Sequence, residues 1–130
     1  MFRYGHFQNR WTPGPQAIIQ IYSPQDPSLS AKVNAIVDSG AVLTAIPQWT
    51  IEEIDDGNLE YTWITVKGAI GIGERRKTYI INLRLGNYYF PDLEVVALDK
   101  ECALIGRDIL NEYRVILDAP KGRWSIEESS

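Results

Sequence analysis

In Thr78 to Leu85, the side chains of Tyr79, Ile81, Leu83 and Leu85 alternate with those of Ile80, Asn82 and Arg84. A strand with one buried face satisfies that period of two and a helix does not. Similar short pieces fill most of the chain. Ala17 to Tyr22 and Lys32 to Val37 flank a polar, proline-containing connection, which predicts a hairpin with a length-tolerant loop. Leu93 to Leu98 is nearly all apolar and is expected to be buried on both faces. Arg114 to Leu117 and Trp124 to Ile126 bracket the turn signal Asp118-Ala119-Pro120-Lys121-Gly122. Helix is scarce. Asp108 to Tyr113 has apolar residues at helical spacing for about two turns, with Asp108 suited to capping its start. A second short helix is expected to begin near Pro47 and end at Asp55-Asp56-Gly57. The pattern predicts an all-β domain of short strands.

Composition narrows the partners. The chain has 130 residues, enough for one domain with a sizeable core, and its formal charge of -4 gives no footprint for nucleic acid or anionic lipid. Cys102 is the single cysteine and His6 the single histidine, so neither an internal disulfide nor a structural zinc site can be assembled, and no metal or cofactor is expected. A lone thiol fits a reducing compartment. No apolar run reaches the length of a signal peptide or a membrane span, so a cytoplasmic location is expected. Residues 17–126 are expected to form the domain. Residues 1–16 are read as a mobile or dimer-contacting segment and 127–130 as a polar tail.

Asp38 is the residue whose position asks for a reason. In Ile36-Val37-Asp38-Ser39-Gly40-Ala41 an ionisable group follows an apolar strand directly, and small residues after it leave room for backbone or ligand to approach. Alone, Asp-Ser-Gly is most often an Asx-type turn, with Asp38 accepting from backbone amides and Gly40 taking a positive φ. Two further segments change its weight. Gly68-Ala69-Ile70-Gly71-Ile72-Gly73 lies between Tyr61 to Lys67 and Glu74 to Leu85, a hairpin with a glycine-rich tip. Because no helix start follows those glycines, they do not read as a phosphate-binding loop. Leu104-Ile105-Gly106-Arg107 then runs into the short helix at Asp108 to Tyr113.

In order and spacing these three pieces resemble the retropepsin-like (retroviral-type) aspartic protease family, in its bacterial and retroelement branches, over roughly residues 17–118. The resemblance implies a single-lobe acid-protease barrel with one short C-terminal helix, forming a C2 homodimer that binds an extended peptide. It implies that Asp38, Ser39 and Gly40 form the catalytic loop, with Ser39 exchanging hydrogen bonds with its mate across the dimer axis. Substrate is expected against Ala41, Leu104 and the flap residues Gly68, Ala69, Ile70, Gly71 and Ile72. Thr44, Gly106 and Arg107 are expected to support the loop. The chain has no second Asp-(Ser/Thr)-Gly, so the second carboxylate of an acid-protease dyad has to come from a second copy.

One position departs from the family pattern. Many retroviral members carry, two residues after the Asp-(Ser/Thr)-Gly triplet, an aspartate that pairs with the arginine matching Arg107; here Val42 stands there. Arg107 therefore needs another acceptor. Two functions follow for test: an aspartic endopeptidase, or a catalytically weak module of the same fold that dimerises or binds peptide.

Overall fold

The computed structural model describes residues 1–6, 13–67 and 73–128. Its longest strand closes the fold. The elements in chain order are β1 (Phe2–Gly5), β2 (Gly14–Tyr22), β3 (Ser30–Val37), β4 (Ala45–Pro47), α1 (Gln48–Ile54), β5 (Tyr61–Lys67), β6 (Gly73–Leu85), β7 (Tyr88–Leu98), β8 (Ala103–Ile105), α2 (Arg107–Leu110), β9 (Arg114–Asp118), a 3₁₀ turn (Ala119–Lys121) and β10 (Arg123–Glu127). β6 pairs with β5 through its first half, with β7 along most of its length, and with β2 at its far end. The neighbour sequence β2, β3, β8, β4, β7, β6 and back to β2 is therefore a closed barrel of six strands. Its interior is filled by alternate residues. Ile19 and Ile21 of β2, Val33 and Ala35 of β3, and Tyr79, Ile81, Leu83 and Leu85 of β6 are all buried.

Two strands are only three residues long and owe their conformation to their neighbours rather than to propensity. β8 lies parallel to β3, with Ile36 opposite Leu104 and Val37 opposite Ile105. β4 lies parallel to β7 and touches β8 at Ala45 and Leu104. The six-strand ring thus converges on the short stretch where β3 ends.

Two features depart from expectation. Residues 2–5 and 14–16, predicted to lie outside the domain, are strand residues: β1 pairs with β2 on one side and β10 on the other. Phe2 stacks on the buried Trp124 with ring centroids 4.5 Å apart, which docks the N-terminal strand on a residue more than a hundred positions away. Asp108 does not cap α2 from outside. Gly106 is the capping residue and Asp108 stands in the first turn, its carboxylate taken by Thr44. Pro47 likewise sits just outside α1, in extended conformation at the end of β4.

Candidate active site

β3 ends at Val37, and the ladder with β8 continues one step further: the Asp38 amide donates to the Ile105 carbonyl at 3.0 Å. The chain then turns sharply. Ala41 donates its N–H to the Asp38 carbonyl at 3.1 Å, Arg107 donates its own to the Ala41 carbonyl at 2.8 Å, and the Gly40 amide donates to Asp38 Oδ1 at 2.9 Å. Each bond fixes a group of the 38–41 loop against β8, against the start of α2 or against the loop itself. One oxygen of Asp38 is thereby oriented, while no group among the described residues bonds Oδ2. The Asx-type turn is present, yet Gly40 does not have a positive φ. Its glycine character serves space instead: a Cβ there would sit 3.1 Å from Asp38 Oδ1.

Beneath this loop a second layer locks α2 to the strand that follows Asp38. Thr44 is fully buried. Its Oγ1 donates to Asp108 Oδ1 at 2.7 Å and accepts from the Gly106 amide at 3.1 Å, while its own amide donates to Asp108 Oδ2 at 3.0 Å and its carbonyl accepts from Val96 at 3.0 Å. Gly106 passes so close to this segment that a Cβ would lie 2.6 Å from the Leu43 carbonyl carbon and 2.8 Å from the Thr44 nitrogen. Those are backbone atoms and cannot rotate away, so only glycine fits. Asp108 is the member of this cluster that the sequence reading assigned elsewhere; an acid directly after Gly-Arg, with a threonine a fixed distance past Asp-Ser-Gly, was the available signal.

A groove of about 450 Å³ opens beside the loop, walled by Gly40, Ala41, Val42 and Leu43 on one side and by Ile64, Thr65 and Val66 of β5 on the other, with Leu104 among the residues between them. Ile64, Thr65 and Val66 are consecutive, so the strand faces the groove with its edge rather than with one face. An edge has unpaired N–H and C=O groups to offer an extended chain. The side chains around it are almost all apolar.

The hairpin that carries this wall has only two strands. β5 pairs with β6 from Tyr61 opposite Tyr79 to Lys67 opposite Gly73. Its outer face holds a ladder of cations on rings: Lys77 Nζ lies 4.5 Å from the Tyr61 centroid and 5.3 Å from that of Trp63, and the Arg75 guanidinium 4.9 Å from that of Trp63. Arg76 and Glu74 form a surface ion pair at 2.7 Å. The expected tip residues Gly68, Ala69, Ile70, Gly71 and Ile72 lie outside the described residues.

Ser39 is exposed and its hydroxyl makes no hydrogen bond among the described residues. Arg107 is exposed too, and its guanidinium has no acceptor among them, which agrees with Val42 standing where an acidic partner would be; Val42 itself is 65% exposed. Among the described residues no cluster of His, Cys, Asp or Glu could hold a metal ion.

A closed six-strand barrel that ends one strand in a pinned Asp-Ser-Gly loop, walled by a hairpin and backed by a short helix, is the architecture of the retroviral-type aspartic proteases. Residues 30–112 match the family described as "gag-polyprotein putative aspartyl protease", and the chain belongs to that family. No curated protein matches it. Among solved structures it is similar to the EIAV protease complexed with the inhibitor HBY-793, at 16% identity and a TM-score of 0.56 over 82% of this chain and 91% of that one. It is also similar to the solution structure of simian foamy virus (mac) protease, at 18% identity and a TM-score of 0.51 over 74% of this chain and 91% of that one. The likeness to these viral proteases is one of fold.

Proposed function

We propose that the chain is an aspartic endopeptidase whose active site forms between two copies, each contributing Asp38. The observation that carries this is the state of the Asp38 carboxylate: one oxygen is held by the Gly40 amide, the other has no bond among the described residues, and the residue stands beside a groove that has one wall of strand edge. A single such carboxylate cannot act as acid and base at once. Two of them brought together cannot both ionise cheaply and share one proton. The ionised member takes a proton from a water, which attacks the scissile carbonyl carbon, while the protonated member donates to the carbonyl oxygen. The tetrahedral intermediate collapses as the amide nitrogen leaves with a proton, and no covalent link to the enzyme forms.

Supporting roles follow from the same geometry. Ser39, exposed and without a hydrogen bond among the described residues, is assigned to bracing the loop of the other copy. The edge of β5 and the loop at 40–43 would hold an extended peptide between them by backbone hydrogen bonds, as in strand addition, with apolar side chains received by Ala41, Val42, Val66 and Leu104. A cytoplasmic setting is proposed because the chain has a single cysteine in its 130 residues.

The test is cleavage of peptides with apolar residues around the cut, at mildly acidic pH. Cleavage should be blocked by a statine-type inhibitor and fall by roughly 10²–10⁴-fold or more in Asp38→Asn, with the melting temperature little changed. Undiminished cleavage by that variant would overturn the assignment.

A further inference from the structure

The outer wall of the barrel carries a charge pattern opposite to that of the chain as a whole. Acidic residues outnumber basic ones by 17 to 13 in the sequence. On β2, Ile19 and Ile21 fill the barrel, so Gln16, Ile18 and Gln20 stand on its outside. Gln20 lies between Lys32 of β3 and Arg84 of β6, and Arg84 in turn lies opposite Tyr89 of β7. The row thus crosses four neighbouring strands at one level. The Arg84 guanidinium rests 5.2 Å from the Tyr89 ring centroid, which orients it and leaves its N–H groups for another acceptor. Towards the other end of β2, the register of β1 sets Arg3 beside Gln16. Lys32, Arg84 and Arg3 are all exposed, and none has a carboxylate within ion-pairing distance among the described residues.

Ile18 stands between the two charged ends. It is 65% exposed, and a shallow pocket opens on either side of it: one of about 270 Å³ reaches Lys32 and Arg84, and one of about 320 Å³ reaches Arg3. A single exposed isoleucine is ordinary, but this one joins two pockets rimmed by cations. No acidic residue lines either pocket, and neither shares a residue with the groove beside Asp38.

The spacing says what fits. From Gln20 to Gln16 is four residues of strand, about 13 Å. An extended chain laid along β2 advances by the same length in four residues and turns alternate side chains to one side. Two carboxylates four positions apart therefore reach Arg3 at one end and Lys32 with Arg84 at the other, and an apolar side chain midway meets Ile18. The pattern is acid-x-apolar-x-acid. A nucleic acid or an anionic membrane needs a wider basic field than three cations on an acidic chain provide. Nor does a second copy supply the segment. The chain's own matches, Glu52 to Asp56 and Asp108 to Glu112, start in α1 and α2 and bury their apolar members Ile54 and Leu110. We propose that the outer face of β2 is a docking site for an extended acidic segment of a protein substrate, separate from the residues that are cut. Binding stands on the geometry alone; recruitment of a substrate rests on the endopeptidase reading above.

Binding is read on the full chain by fluorescence anisotropy, with a labelled Glu-Ser-Leu-Ser-Glu peptide flanked by glycines. Arg84→Glu and Lys32→Glu should each weaken it about tenfold, and Ile18→Ser about threefold. Lys100→Glu removes an exposed cation elsewhere and should change it less than about twofold. All four positions are exposed, so the melting temperatures should hold. Joining the acidic segment to a cleavable peptide by a flexible linker should lower KM about tenfold at unchanged kcat. Arg84→Glu should remove that gain and cleave the unjoined peptide as before. The docking site is wrong if the labelled peptide fails to bind the unaltered chain, if the charge reversals bind it equally well, or if a thymidine oligonucleotide displaces it as readily as unlabelled peptide does. Cleavage by the unaltered chain would in that case leave the endopeptidase reading standing. Specific binding without cleavage of either peptide would keep the site as a binding surface and overturn the endopeptidase reading, and recruitment with it.

Discussion

The two walls of the groove are built in opposite ways. The wall that holds Asp38 is braced from below by a buried threonine that makes bonds to a helix, to a glycine and to a neighbouring strand at once. The wall that faces it is a two-strand ribbon, exposed on its outer side and held by rings and cations in water. Hydrogen bonds inside a low-dielectric core are hard to exchange for water, whereas cation–ring contacts at the surface are weak and readily remade. The difference suits a hydrolase that must hold a carboxylate still while a peptide enters and leaves. It also says where substitutions should cost stability and where they should cost affinity.

The sharpest break in the rigid wall is Gly106→Ala. The added methyl meets backbone atoms of Leu43 and Thr44 at under 3 Å, so β8 and the loop must part; about 3 kcal/mol of stability should be lost, seen in urea melts, together with cleavage. Thr44→Val keeps the shape but strips the hydroxyl, leaving the Gly106 N–H buried without an acceptor and Asp108 short of one donor. A loss of about 2 kcal/mol is expected, with kcat falling more than KM rises because the peptide's own contacts remain. On the other wall, Trp63→Ala removes the centre of the cation–ring ladder. It should leave the melting temperature nearly unchanged and raise KM about two- to fivefold, the equivalent of roughly 0.5–1 kcal/mol in hairpin order. A Trp63 variant that unfolds the barrel, or a Thr44 variant that acts only on KM, would erase the contrast.

The same contrast explains what could be read from the residues alone. Tyr79, Ile81, Leu83 and Leu85 announced a strand through alternation, and all four are buried. The hairpin pairing of Tyr61–Lys67 with the strand beginning at Gly73 followed from a glycine-rich stretch between two strand-like runs. β4 and β8 were beyond reach as strands, since three residues show no period and their pairing is parallel and distant in sequence. β1 was misjudged because Phe2-Arg3-Tyr4-Gly5 gains its place from Trp124, which no local pattern contains. At the site, Gly40, Ala41 and Leu104 line the groove and Asp38 is bonded to Gly40 beside it, but the partner of Thr44 was missed: a carboxylate at a helix start looks like a cap until the chain is folded. Arg107 needed an acceptor from the sequence and has none among the described residues of one copy.

The central claim is that one chain carries half an active site. It is tested most directly by measuring the initial rate of peptide cleavage against protein concentration through the range where sedimentation shows dimer giving way to monomer. The rate should rise with the square of concentration where monomer dominates and become linear where dimer does. A rate that stays linear in concentration down to a solution of monomer alone would show that a single copy is complete, and would contradict it.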